Sequence, residues 1–376
     1  MKTLIVTRDH LAMLLQCVNV NTLMDEVIEE LTQSLLDFDE TRTQVRKRDG
    51  FMHMRPRPGI LEWMPIMETD SAVLIKVVGY NPFNPVDHGL PTIISTMSLY
   101  DVRTGHLVAL MDGILPTALR TGAASAVASR ILAAPESKVL GLIGCGAQAL
   151  TQLHALSRVF DFNEVLIYDK NDEAQNSFLK RSAFLGFDVR PARRDVLERE
   201  SDLICTATSV EIDGGPVLND SELKSWTHLN AIGSDFPGKK ELPLSLLRRS
   251  LVCPDFTPQA MVEGECQQLS EAEIGPSLVG LVKNAEAYEK YRHSLTVFDS
   301  TGYALEDQVV MGVLLRYARQ LNLGIELPLE STTTDPQNPY EIINSIALQS
   351  LMQDSTTADL ELSPQTVGGF GHGGLS

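Results

Sequence analysis

Cysteine is sparse, and its pattern rules out its usual structural uses. The 376-residue chain carries five, at Cys17, Cys145, Cys205, Cys253 and Cys266. The number is odd, the positions are scattered and no CxxC pair occurs. A disulfide framework or a zinc site is therefore not expected, no metal is assigned, and a reducing, cytoplasmic setting is. No apolar run approaches the roughly 18 residues that a membrane span requires. Residues 1–9 carry charge early and lack an apolar core, so no secretory signal is expected. Cations are in short supply, with 31 Lys and Arg against 49 Asp and Glu and a formal net charge of -18. That balance argues against a nucleic-acid partner, because phosphate binding needs clustered Lys and Arg. A few cations in a cleft remain enough for a small anionic substrate. What the chain does have is 43% hydrophobic residues, sufficient for ordinary buried cores, and a length that suggests two domains.

Periodicity separates two regions. Residues 21–38 read as an amphipathic helix, with Leu23, Val27, Leu31 and Leu35 forming one apolar stripe and Asn21 as its cap. Residues 51–110 read as strand-rich, with runs such as Ala72–Val78 and Thr92–Tyr100 separated by Asn81-Pro82 and Asp87-His88-Gly89. A helix of small residues over 116–134 follows, suited to close approach by another backbone or a cofactor. From Lys138 onward, short apolar strands alternate with helix-length segments: Val139–Ile143, Val165–Tyr168, Leu203–Thr206, Leu229–Ile232, Leu251–Cys253 and Leu295–Phe298. Repeated βα units imply a parallel, doubly wound α/β sheet. A helix over 305–323 is expected to return to the first region. Residues 328–340 read as a linker, and Gly368 to Ser376 as a glycine-rich tail. The expected organisation is a strand-rich α+β substrate and dimerisation domain (1–120, completed by about 316–350), a Rossmann-type dinucleotide-binding domain (121–315) and a tail (351–376).

The strand Val139–Ile143 runs into Gly144-Cys145-Gly146-Ala147-Gln148-Ala149, a G-x-G-x-x-A sequence at a strand-to-helix junction. Gly144 permits the tight turn, Gly146 lets backbone approach a pyrophosphate, and the helix start offers free N–H groups to phosphate oxygens. Asp169 follows the next strand. A carboxylate there accepts hydrogen bonds from both ribose hydroxyls of NAD and repels the 2′-phosphate of NADP, so NAD is the expected cofactor.

Four polar positions stand out. Lys76 interrupts an apolar run; it reads either as an edge residue or as a buried ammonium with a carboxylate partner. Arg120 lies among Ala, Thr, Leu and Gly, as a surface ion pair or as a fork for a carboxylate or phosphate. Asp235 follows a strand at the end where open α/β sheets bind ligands, as a loop cap or a general acid/base. Ser300-Thr301-Gly302 follows the last strand in the same manner. Glu263-Gly264-Glu265 reads as a solvated acidic turn.

Together these segments make the chain resemble the ornithine cyclodeaminase/mu-crystallin family from about residue 50 to residue 315. The resemblance rests on Glu62-Trp63-Met64-Pro65, Lys76, the stretch from Thr117 to Thr121, the stretch from Ile143 to Gln148, the stretch from Asn230 to Lys239, and the stretch from Phe298 to Gly302. The Asp235-Phe236-Pro237-Gly238-Lys239 segment looks like the true cyclodeaminases; the crystallin and reductase branches generally lack that Asp. The resemblance implies that Lys76 contacts a substrate carboxylate and takes part in catalysis, that Arg120 sits between cofactor and substrate, that Asp235 is the catalytic acid/base, and that Thr301 touches the substrate. It also implies a cofactor lining of Thr92, Ala147, Gln148, Asp169, Thr208, Lys239 and Ser300, with Asn230, Ala231 and Ile232 beside them. The family has a substrate-binding Arg shortly before the Glu-x-Met-Pro stretch. Here the spacing is longer, and Arg48 is chosen, with Arg46 and Arg55 as rivals.

The activity so implied is conversion of L-ornithine to L-proline plus ammonia, with NAD used and regenerated in each cycle. Lysine cyclodeamination to L-pipecolate, and a net ketimine reductase or amino-acid dehydrogenase, are the alternatives. A homodimer is the expected assembly.

Overall fold

The computed structural model describes residues 1–330 and 333–344. Contacts group Lys2–Leu327 into one unit and Pro328 onward, together with Met1, into another. The site lies entirely within the first. The expected tail, 351–376, falls outside the described residues, as does the end of the segment expected to complete the first domain.

Among the described residues fifteen strands form two sheets. In chain order they are β1 (Thr3–Val6), β2 (Thr43–Val45), β3 (Asp49–His53), β4 (Gly59–Glu68), β5 (Ala72–Tyr80), β6 (Ile93–Asp101), β7 (Leu107–Asp112), β8 (Val139–Ile143), β9 (Glu164–Tyr168), β10 (Val189–Pro191), β11 (Leu203–Thr206), β12 (His228–Ala231), β13 (Leu251–Pro254), β14 (Thr296–Asp299) and β15 (Ile325–Leu327). The first sheet runs β15-β1-β7-β6-β5-β4-β2, with β3 also on β4. Its long strands are antiparallel and alternate. Glu62, Met64 and Ile66 of β4, and Leu74, Lys76 and Val78 of β5, point inward and are buried, whereas Leu61 and Val77 face out. That is the period-2 pattern of a sheet covered on one face.

The second sheet runs β10-β9-β8-β11-β12-β14-β13, and every pairing in it is parallel. The strands β8, β9, β11 and β12 are buried almost throughout, because crossover helices cover both faces; that accounts for their unbroken apolar runs. The α/β reading with a doubly wound, Rossmann-type sheet holds.

The helix Ile114–Leu132 lies between the sheets and packs on the helices Val20–Leu36, Ala147–Leu156 and Ala304–Gln320. Its small residues serve backbone approach: a Cβ at Gly122 would lie 2.5 Å from the Thr151 carbonyl oxygen. Asn21 is not the cap of the second helix. The helix begins at Val20, and Asn19 caps it by accepting from the Asn21 and Thr22 N–H groups. The helix Ala304–Gln320 returns to the first sheet and packs on β4 and β5. No single described helix is long and apolar enough to cross a membrane. Cys145, Cys205, Cys253 and Cys266 are buried free thiols and Cys17 is exposed. Among the described residues no cluster of His, Cys, Asp and Glu could hold a metal.

Candidate active site

Two adjoining cavities open where the carboxyl ends of the parallel strands meet the inner face of the first sheet. The outer one, about 350 Å³, is lined by Thr92, Gly146, Ala147, Gln148, Thr208 and Lys239 among others. The inner one, about 70 Å³, is lined by Arg48, Glu62, Lys76, Arg120, Ser300 and Thr301 among others. Tyr80, Ile93, Thr117, Gln148, Ile232 and Asp235 line both, so the cavities are contiguous and Asp235 stands at their junction.

The outer cavity fits a dinucleotide. Gly144 has φ +95, and a Cβ there would lie 2.5 Å from the Ala207 carbonyl oxygen, so only glycine makes this turn. Beyond Gly146 nothing lies within 4 Å of a built Cβ, and no side chain caps the helix Ala147–Leu156. Its first N–H groups therefore face open space beside the cavity, as a phosphate requires. Asp169 lines neither cavity. Its carboxylate accepts the Cys145 N–H (2.8 Å) and the Asn171 N–H (2.9 Å), which fixes it next to the glycine turn. The far wall is held by Glu241, which is fully buried and accepts from the Thr206 hydroxyl, the Thr208 N–H and hydroxyl, and the Gly233 N–H, all at 2.7–2.8 Å. Burial pushes its pKa up, and those four donors act against the shift.

The inner cavity gathers charges of both signs. Lys76 is 1% exposed and its Nζ lies 2.9 Å and 2.8 Å from the two carboxylate oxygens of Asp307. It is neither an edge residue nor unpaired. Burial, and then the Arg120 charge, push its pKa down to about 7, against the pull of Asp307. Arg120 is not a surface ion pair. It is buried, with Nη1 2.8 Å from Glu306 and Nε 3.1 Å from Asp307. The Arg48 side chain is 8% exposed; one Nη donates to the carbonyls of Thr301 and Gly302, the other lies 3.3 Å from Glu62, and Nε lies 3.4 Å from Glu263. Neither Arg46 nor Arg55 lines the cavity.

Gly302 has φ +77, and a Cβ there would lie 2.0 Å from Arg120 Nη1. Asp255, buried at the end of β13, accepts from the Gly302 N–H and from the hydroxyls of Ser300 and Thr301. Asp235 remains one-quarter exposed, and its Oδ1 lies 2.6 Å from Lys239 Nζ. Burial works against the Lys239 charge, but Asp235 and Tyr80 reverse that and push its pKa up.

Most of the expected site residues thus line one continuous space. Ser300 lines the inner cavity, not the outer one. Asn230 and Ala231 line neither; the Asn230 amide donates to Ser129 Oγ at 3.0 Å inside the core. The acidic turn at 263–265 is not solvated. Glu263 is 4% exposed beside Arg48, its pKa pushed up to about 7 chiefly by burial. Glu265 is fully buried, accepting the N–H groups of Glu241 and Leu242. Glu306 and Asp307 carried no functional reading in the sequence, where two acids opening a helix look like ordinary dipole partners.

The family model described as "Ornithine cyclodeaminase/mu-crystallin family" matches residues 8–320. An L-lysine cyclodeaminase of Streptomyces rapamycinicus is 40% identical over 343 residues, spanning 91% of this chain and all of that protein. An alanine dehydrogenase of Archaeoglobus fulgidus is 33% identical, over 87% and 98% of the two chains. An ornithine cyclodeaminase of Brucella suis is 29% identical, over 94% and 96%. Among solved structures, a lysine cyclodeaminase described for recognition of L-lysine, L-ornithine and L-2,4-diaminobutyric acid superposes with a TM-score of 0.88 at 46% identity, covering 90% of this chain and 99% of that one. An archaeal alanine dehydrogenase dimer with bound NAD superposes with a TM-score of 0.79 at 30% identity, covering 88% and 100%. With the model match running from the first helix to the last helix of the larger unit, the chain belongs to the ornithine cyclodeaminase/mu-crystallin family.

Proposed function

We propose that the chain is an NAD-dependent cyclodeaminase of a basic L-amino acid, with L-lysine as substrate and L-pipecolate plus ammonia as products. L-lysine replaces the L-ornithine expected from the sequence, because the relative named L-lysine cyclodeaminase is 40% identical and the one named ornithine cyclodeaminase 29%. The observation that carries the reading is the charge pattern of the inner cavity. Cations suited to a carboxylate (Arg48, Lys76, Arg120) share it with acids suited to a second ammonium (Glu62 and Asp235). An alanine or a keto acid has no second ammonium for those acids to meet, which weighs against the dehydrogenase reading that the Archaeoglobus relative would favour.

In this reading the first sheet supplies the substrate clamp and the parallel sheet holds the cofactor. Bound in the outer cavity lined by Gly146, Ala147, Gln148, Thr208 and Lys239, NAD would supply reversible hydride chemistry at the substrate Cα with no net change over a turnover. Arg48 and Lys76 hold the α-carboxylate, and Arg120 borders the cofactor side. Asp235, at the junction of the cavities, takes a proton from the distal ammonium so that its nitrogen attacks the imine carbon, and then gives a proton to the departing α-nitrogen. Enclosure between the sheets limits loss of the imine to water. The outward face of β4, β5 and β6 leaves Leu61, Val77 and Ile94 exposed, with Phe51 beyond. An apolar sheet face of this kind is where a homodimer would form.

Incubation with NAD and a panel of diamino acids tests the reading. Ammonia and pipecolate from L-lysine, without accumulation of reduced cofactor, is the expected result. Stoichiometric reduction of NAD with a keto acid as product would overturn it.

A further inference from the structure

The clamp assigned to the substrate carboxylate contains a side chain that cannot carry its charge unaided. Lys76 projects from the middle of β5 into the core, between Met64 of β4 and Met97 of β6, its register partners. A buried ammonium in such surroundings is costly unless paired. Four other elements bring charge to it. Arg120 approaches from the helix Ile114–Leu132, Arg48 from the segment between β2 and β3, Glu62 from β4, and Asp307 from the first turn of the helix Ala304–Gln320. Two of these are cations, which disfavour a third. Glu62 is engaged by Arg48 at 3.3 Å, and Glu306, the neighbour of Asp307, pairs with Arg120 alone among the described cations. Among the described residues, Asp307 is the carboxylate at ion-pair distance from Lys76, and it also reaches Arg120 Nε at 3.1 Å.

We propose that Asp307 is a positioning residue for the carboxylate clamp: fully buried and bridging Lys76 and Arg120, it fixes both side chains and keeps the Lys76 ammonium protonated for the substrate. The inference rests on the reading that Lys76 meets the substrate carboxylate. It adds a residue that touches no substrate and acts on binding through another. Burial and Arg120 already lower Lys76 to about 7 with Asp307 in place. Removing the Asp307 charge takes away the largest opposing pull, so the folded protein then holds the Lys76 proton only at lower pH. Loss of that proton leaves the clamp one charge short.

The test is the pH dependence of kcat/KM between about pH 6 and 9, which reports ionisations of the free enzyme, for wild type and the variants Asp307→Asn, Glu306→Gln, Lys76→Met and the Lys76→Met/Asp307→Asn pair. For Asp307→Asn the limb set by Lys76 moves to lower pH by about one unit or more, which corresponds to roughly a tenfold loss of kcat/KM at the upper end. The loss falls mainly on KM and is recovered by lowering the pH. Glu306→Gln leaves the position of that limb in place, and Asp307→Asn adds little once Lys76 is already Met. If Asp307→Asn does not fold, Asp307→Glu decides the matter, since it keeps the charge and should keep the limb. The proposal is overturned if Glu306→Gln shifts the limb equally, if the Asp307→Asn loss is fully additive in the Lys76→Met background, or if Asp307→Glu moves the limb downward. The underlying reading fails separately and earlier if Lys76→Met alone leaves KM unchanged.

Discussion

Replacing Asp235 by Asn removes one charge and keeps the shape. The carboxylate sits where the two cavities join, 2.6 Å from Lys239 Nζ. Two losses follow. Among the described residues Lys239, almost wholly buried, keeps the Tyr80 hydroxyl at 3.3 Å and the Tyr80 ring at 4.8 Å from Nζ. Because Asp235 is itself one-quarter exposed, the stability cost is that of a partly screened pair, about 1 kcal/mol. The catalytic loss is larger. An amide can neither take the proton of the distal ammonium nor return it to the leaving nitrogen, and positioned acid–base groups contribute about 10²–10⁴-fold, or roughly 3–5 kcal/mol of barrier. The glycine turn and the Glu241 network are untouched, so NAD affinity should stay within a few-fold. Steady-state ammonia release, paired with a fluorescence titration of NAD, measures both. An Asp235→Asn variant that binds NAD normally and turns over within tenfold of wild type would refute the role given to this residue.

Two further substitutions probe the walls of the site. Gly302→Ala forces a Cβ to 2.0 Å from Arg120 Nη1 at a φ of +77, so it should cost about 1–3 kcal/mol in thermal or denaturant unfolding and raise KM for the amino acid more than for NAD. If Asp169 meets the ribose as the sequence leads one to expect, Asp169→Asn removes the charge that would oppose a 2′-phosphate while preserving a hydrogen-bonding group. NAD binding should weaken and the ratio of NADP to NAD affinity should rise at least about tenfold, measured as two dissociation constants; an unchanged ratio would mean that another group sets the preference.

Six of the seven strands of the parallel sheet were legible to within a residue because both faces are covered; the short edge strand β10 (Val189–Pro191), mostly exposed and carrying Arg190 and Pro191, has no apolar run to announce it. Val139–Ile143 and Leu203–Thr206 are continuous apolar runs whose ends coincide with the strands. The glycine turn was equally plain, since a positive φ against a neighbouring carbonyl admits no other residue. Lys76, Arg120 and Asp235 stood out because a charge in an apolar or small-residue setting needs an explanation. Their partners did not. Glu263, Glu306 and Asp307 lie 187–231 residues from Lys76 and sit in turns or helix starts where acids are common, and only tertiary packing turns them into buried counter-charges. The cap at Asn19 was missed for a local reason. Asn21 lies two residues on, and the helical stripe alone does not say which Asn leaves the helix.

In the proposed cycle, oxidation and reduction occur at one carbon within one enclosed site. L-lysine carrying deuterium at Cα and ¹⁵N on the α-nitrogen, incubated with wild-type protein and NAD and followed by mass spectrometry, shows where both labels go. Pipecolate that keeps deuterium at C2, together with ammonia that carries the ¹⁵N, is the expected result. Deuterium lost to solvent or to the free cofactor pool, or ¹⁵N kept in the ring, would contradict it.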